Sequence, residues 1–333
     1  MRKDVTIIIP TLNEEKFIKE CISSVINQTF PFDLVNLLVI DGGSKDKTCG
    51  IVKKYAEAYS NIHLLQNPKK IQSVAFNIGV SNSVEPYIIR LDAHASYDKY
   101  YIEKCVSHLM NDKQIGNVGG RCLMRSKKNG IIAQANVILN QSKFGIGGAA
   151  FRVSTNAAYV DTVPFGAFRR TVVEQIGGMR EDLARGEDNE YNSRIREAGF
   201  KVYFDPTIIS TYFARETVSA ITRQMYTNGV SIGKLLLCSK DSVGIRHFVP
   251  FLFVSCIIGC LGLGIFSPLM FLLLSIILLM YIALDLIATS NECAKFGLKY
   301  FFILPWLYFI VHISYGWGTI VGILQNIKKN ESH

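Results

Sequence analysis

Four polar clusters hold side chains able to do chemistry. Thr11, Asn13 and Glu14 follow the apolar run Val5–Ile9, which Pro10 closes; Asp41-Gly42-Gly43-Ser44 follows Leu34–Ile40; Asp92-Ala93-His94 follows Tyr87–Leu91. The fourth, Glu187-Asp188, opens the stretch Asn189–Ala198, ended by Gly199. Carboxylates and an imidazole can hold a cation, accept a proton or hydrogen-bond a polar ligand. Blander readings stand beside these. Asp-Gly-Gly-Ser is also an ordinary turn, a carboxylate at a helix start also caps the helix and favours its dipole, and a histidine after a strand can be a plain loop residue.

The elements that must position these clusters alternate in type. Val5–Ile9, Leu34–Ile40, Ile62–Leu65 and Tyr87–Leu91 read as buried strands, and Glu14–Val25, Thr48–Tyr59 and the start at Ser73–Val80 as helices. Asn189–Ala198 reads as a further short helix, followed by a strand at Lys201–Phe204 and then Pro206. Continuous apolar strands joined by helices predict a parallel sheet covered on both faces. Ligands bind such sheets at the carboxyl ends of the strands. The first three clusters all follow strands, so they should meet at one edge. Neither G-x-G-x-x-G after the first strand nor G-x-x-x-x-G-K-[ST] is present, which takes support from dinucleotide redox and P-loop chemistry. Gly145-Ile146-Gly147-Gly148 follows no clear strand and reads as a flexible loop.

The chain has 333 residues, enough for about two domains. It is 49% hydrophobic, with a mean hydropathy of +0.22. That average joins two unlike halves, with the break near residue 247. From Phe248 to Asn291 the only acid or base is Asp285, and Tyr300–Ile327 contains no Asp, Glu, Lys or Arg. Phe248–Phe266 and Pro268–Ala288 each reach the ~20 apolar residues a spanning helix needs. The third segment, 300–324, carries Pro305, His312, Trp306 and Trp317 and could span or lie in the interface. Arg246, Lys295, Lys299, Lys328 and Lys329 favour the cytoplasmic side, which suits two spans plus an interfacial third segment. Asp285 should then lie near enough to the interface to stay wet. The division expected is residues 1–235 and a membrane region at 236–333. The formal charge of +9, from 36 Lys and Arg against 27 Asp and Glu, fits an anionic partner. No basic patch interleaved with aromatics points to nucleic acid. The eight cysteines form no CxxC pair, so a finger-type metal site and a disulfide framework both lack support. Val5–Ile9 is too short for a signal-peptide core.

VTIIIPTLNEE, VIDGGSKDKT, RLDAHA and GEDNEYNSRIREAG, in this order from about Val5 to Lys234, resemble the family 2 inverting glycosyltransferases. VDTVPFGAFRR, RQMYTNGVSIGK and IRHFVP, with the apolar spans, resemble the bacterial membrane-associated subgroup that builds exopolysaccharide or capsule, of the succinoglycan type. The resemblance implies an α/β GT-A fold, a Rossmann-like and mostly parallel nucleotide-sugar sheet, followed by transmembrane or interfacial helices. It implies that Asp41 contacts the nucleoside, with Pro10, Thr11, Asn13 and Glu14 lining its pocket. Asp92-Ala93-His94 stands where the family has D-x-D, so Asp92 would hold Mn2+ or Mg2+ at the diphosphate, with His94 either a second ligand or a contact to phosphate; histidine there departs from the usual aspartate and leaves the metal open. Asp188 would be the general base and Glu187 its support. Lys70 and Asn77 (in A-x-N-x-G), Arg169, Arg223 and Gln224 would complete the donor site. The processive Q-x-x-R-W is absent, which favours single addition.

The resulting expectation is an enzyme on the cytoplasmic face of the plasma membrane. It would pass a sugar from a nucleoside diphosphate, a UDP-sugar, to a hydroxyl of a polyprenyl-diphosphate-linked saccharide in the bilayer. A sugar-phosphate nucleotidyltransferase would want a glycine-rich basic loop where Thr11-Leu12-Asn13-Glu14 stands. An inactive scaffold or glycan-binding protein would not need Asp41, Asp92 and Asp188 intact.

Overall fold

The computed structural model describes residues 3–127, 129–146, 150–183, 185–238, 243–244 and 247–330; Gly147, Gly148 and Arg246 lie outside them. In chain order the elements are β1 (Val5–Thr11), α1 (Ile18–Ile26), β2 (Val35–Asp41), α2 (Thr48–Ala58), β3 (Ile62–Gln66), α3 (Gln72–Ser81), β4 (Tyr87–Arg90), β5 (Ala95–Tyr97), α4 (Tyr101–Asn111), β6 (Ile115–Arg125) and α5 (Ile131–Gln141). They continue with α6 (Ala150–Val153), β7 (Ala158–Tyr159), β8 (Ala167–Arg169), α7 (Arg170–Ile176), α8 (Glu187–Glu197), β9 (Lys201–Phe213), α9 (Val218–Cys238), α10 (Phe248–Gly264), α11 (Pro268–Phe296) and α12 (Leu304–Asn330). The chain forms two compact units, Met1–Leu123 with Ser154–Phe213, and Met124–Val153 with Ala214–His333. Residues 214–235 therefore group with the apolar helices, although they precede the change in composition.

The first unit is built on a sheet of order β3-β2-β1-β4-β8-β6-β9-β5, with β7 beside β9. β1 to β4 are parallel, as their continuous apolar runs predict; Val5, Ile7, Ile8 and Ile9 are fully buried. Helix α3 lies close on β1: a Cβ at Gly79 would stand 2.6 Å from the Ile8 side chain. The rest of the sheet mixes directions. β8 runs antiparallel to both β4 and β6, and β5 antiparallel to β9. β9 runs on through Pro206 to Phe213 instead of stopping at Phe204. It pairs with β7 at Tyr203 and Phe204 and with β5 at Ser210–Tyr212. Pro206 falls between these stretches, so its missing N–H costs neither ladder a bond.

A buried carboxylate braces the parallel strands. Glu85 Oε2 accepts from the Thr6 hydroxyl (2.6 Å), the Asn36 amide (3.3 Å) and the Val84 N–H (3.2 Å). Burial raises its pKa, but these bonds hold it below the ordinary carboxylate value. Glu85→Ala strands the Thr6 and Asn36 donors and is expected to cost about 2–3 kcal/mol in urea unfolding, against about 1 for Glu85→Gln. Because the folded-state pKa is depressed, this contribution is present above the ordinary value and is lost as pH falls through the folded one.

In the helical unit α9 lies along α12 through glycines. A Cβ at Gly233 would stand 2.2 Å from the Thr319 carbonyl, and one at Gly322 2.1 Å from that of Val230. Leu304, Leu307, Tyr308 and Val311 bury against Ile138, Leu139, Ile221 and Met225. Two helices among the described residues are long and apolar enough to cross a membrane, Pro268–Phe296 and Leu304–Ile327. Within the expected span 248–266 lies the shorter apolar helix Phe248–Gly264, and the third segment, expected to span or to lie in the interface, is one continuous helix. Pro305 does not interrupt it, since it sits in the first turn where a missing N–H is harmless. α11 turns Leu269, Leu272, Leu279, Met280, Ile282 and Leu286 outward, a face that calls for apolar surroundings. Asp285 does not stay wet: it is 4% exposed and accepts a hydrogen bond from Thr289.

Candidate active site

β1 and β2 end level, with Thr11 opposite Asp41. Asp41 accepts the N–H groups of Gly43 (2.8 Å) and Ser44 (2.9 Å) and the Ser44 hydroxyl (2.5 Å). Gly43 makes the turn possible with φ +85°. Burial raises the Asp41 pKa, but these bonds hold it below the ordinary carboxylate value. Asn13, at φ 56°, accepts the Lys45 N–H at 2.8 Å, and its own N–H reaches Ser44 Oγ at 2.8 Å. The loop after β1 is thus stitched to the turn after β2. Lys70, at φ 59°, lies beside the same turn: its Cε would be 3.8 Å from a Cβ at Gly43. Pro10, Thr11, Asn13, Glu14, Asp41 and Lys70 therefore gather at one rim. Thr11 spends its hydroxyl on the Ile9 carbonyl.

The second cluster forms where β4 meets the start of α8. Arg90, the last residue of β4, is 3% exposed. Its Nη2 donates to Asp92 Oδ1 at 2.8 Å, its Nη1 donates to Asp188 Oδ1, and Glu187 Oε1 is 3.9 Å from Nη1. Gln72 adds a bond to Asp92 Oδ1 at 2.8 Å. One guanidinium thus faces three carboxylates. Burial raises the Asp92 pKa, yet Arg90 and His94 beside it hold it below the ordinary range. Glu187 and Asp188 shift the other way: burial and neighbouring carboxylates push both up, and Arg90 opposes the rise. The Asp188 side chain is 36% exposed and that of Glu187 8%, so only Asp188 is open to an incoming molecule.

His94 bridges the two clusters. Nδ1 lies 3.0 Å from Glu14 Oε1 and Nε2 2.8 Å from the Tyr212 hydroxyl. Burial lowers its pKa, but Tyr212 and Glu14 raise it further, to about 10. Both nitrogens of His94 are thus engaged by protein groups in this structure. Among the described residues no group of three or more His, Cys, Asp or Glu is placed to hold a metal. Asp92 alone fits a hard cation of the kind that takes one carboxylate and draws its remaining ligands from phosphates and water.

Arg169 and Asn77 hold other places in the same unit. β8 is antiparallel to β4, so Arg169 stands opposite Tyr87, at the start of β4 and the far edge of the sheet, where its Nη2 donates to the Asp112 carbonyl at 2.8 Å. Asn77 is a brace: its amide donates to the Met179 carbonyl and accepts the Met179 N–H, both at 2.8 Å. Arg223 and Gln224 lie on α9 in the helical unit. Arg90, Gln72 and Tyr212 were not singled out from the sequence. The signal for Arg90 was there: a lone charge inside the apolar strand Tyr87–Leu91.

The sequence profile described as "Glycosyl transferase family 2" matches residues 6–177. The dolichyl N-acetyl-alpha-D-glucosaminyl phosphate 3-beta-D-2,3-diacetamido-2,3-dideoxy-beta-D-glucuronosyltransferase of Methanococcus voltae is 27% identical, over 96% of this chain and 97% of that protein. The succinoglycan biosynthesis protein ExoA of Rhizobium meliloti is 26% identical, over 73% of each. Among solved structures, the mannosyltransferase PcManGT from Pyrobaculum calidifontis, in complex with GDP-Man and Mn2+, superposes with a TM-score of 0.60 at 19% identity, covering 99% of this chain and 88% of that one. These likenesses bear out the GT-A type of fold. By the profile match over more than half its length, the chain belongs to glycosyl transferase family 2 and is a glycosyltransferase.

Proposed function

We propose that this enzyme inverts configuration while moving a sugar from a nucleoside diphosphate, a UDP-sugar, to a hydroxyl of a polyprenyl-diphosphate-linked saccharide. It would work at the cytoplasmic face of the plasma membrane. The observation that carries the reading is the carboxylate cluster: Asp188, open to solvent, is tied through one guanidinium to Asp92 at the carboxyl end of β4. On this reading a base for the acceptor would stand next to a carboxylate for the donor. Asp188 takes the acceptor hydroxyl proton as its oxygen attacks the anomeric carbon, and the bond from that carbon to the diphosphate breaks. Asp41 and the rim around it would receive the nucleoside. Asp92 would hold Mn2+ or Mg2+, which when bound offsets charge on the leaving diphosphate.

The lipid-linked acceptor rests on two supports. The Methanococcus voltae relative is named for a dolichyl-linked substrate, and α11 and α12 could tether the enzyme at a bilayer. Tethering raises the local concentration of a lipid-borne acceptor. The test uses the detergent-purified full chain with a panel of UDP- and GDP-sugars and Mn2+ or Mg2+. One donor is expected to release nucleoside diphosphate, faster when a polyprenyl-linked saccharide is added. If no nucleotide sugar is bound or turned over with either metal, the proposal fails.

A further inference from the structure

We infer that Arg90 is a positioning residue that sets the general base against the donor carboxylate, an inference that rests on the transferase reading above. Its guanidinium is buried, and its two terminal nitrogens serve different partners, Asp188 through Nη1 and Asp92 through Nη2. The arm is fixed at its root: Arg90 N–H donates to the Gly166 carbonyl at 3.0 Å, and the residue pairs with Ile8 across β4 and β1. Asp188 sits in the first turn of α8, which begins at Glu187 after Gly186 in the left-handed region at φ 80°. No side-chain bond caps that helix start. Arg90 thus donates a hydrogen bond to the Asp188 carboxylate and ties a helix terminus to the sheet.

A planar fork can hold two carboxylates at a defined separation, and a lysine ammonium on a flexible stem cannot reproduce it. A reacting oxygen misplaced by about 1 Å can cost about a hundredfold in rate. Arg90→Lys keeps the charge and loses the fork. It is expected to lower kcat for transfer about 30- to 100-fold while donor KM stays within about threefold. The rate is counted per site that binds nucleoside diphosphate, so any unfolded fraction drops out. Because Arg90 acts through Asp188, the double variant R90K/D188N should have a kcat within about threefold of D188N alone. Arg90→Lys with the kcat of the unchanged enzyme would overturn the inference. So would a donor KM that rises as much as kcat falls, or a double variant slower by the product of both losses. A D188N enzyme that transfers at full rate would instead overturn the base assignment, and this inference with it.

Discussion

Asp188→Asn is expected to lower kcat for transfer by about a thousandfold while nucleoside diphosphate affinity changes less than about threefold. The amide fills the same space and can still meet Arg90 through its oxygen, so the start of α8 should persist. What is lost is the site that receives the acceptor proton. Glu187 should not substitute, because it is buried, whereas Asp188 is a third exposed. The measurement is transfer rate against binding of the nucleoside diphosphate released from the donor. Equal losses in both would show that Asp188 serves the donor instead. The unchanged enzyme has a matching pH dependence. Burial and the crowding of carboxylates raise the Glu187–Asp188 pair above the ordinary range, and such a pair titrates as a unit. A base works unprotonated, so transfer should fall with falling pH sooner than an ordinary carboxylate would require.

Asp92→Ala is expected to cut turnover of the donor by about 10²- to 10³-fold and to flatten its response to Mn2+ or Mg2+. Asp92 is the one carboxylate of the cluster held below the ordinary range: burial raises its pKa, but Arg90, His94 and Gln72 together favour its charged form more strongly. It is therefore the group best kept ionised for a cation. The check is a metal titration of donor hydrolysis in both proteins. An unchanged metal response in Asp92→Ala would remove Asp92 as the metal residue. The same change frees an Arg90 nitrogen, so the thermal midpoint of the variant, read beside the titration, tells loss of the cation site from loss of the fold.

The parallel half of the sheet was legible in the sequence because both its faces are covered. Full burial forces continuous apolar runs, and such runs end in polar turns at one edge. That rule alone brought Asp41 and the residues after β1 together. The apolar half was legible from purity and length. Whether residues 248–266 or 304–327 are long enough as helices depends on where the chain turns, at Ser267-Pro268 and at Gly297, and composition does not mark which turn matters. Three things were decided only in three dimensions. β8 runs backwards beside β4, which carries Arg169 to the far edge; strand direction leaves no trace in a three-residue strand. His94 has the chemistry of a ligand, yet Glu14 and Tyr212, 80 and 118 residues away, occupy both its nitrogens. Arg90 and Asp188 are 98 residues apart, and their ion pair exists because a buried guanidinium must find carboxylates wherever the fold brings them. Residue types and local spacing determined which groups could do chemistry, and long-range pairing decided which of them remain available to do it.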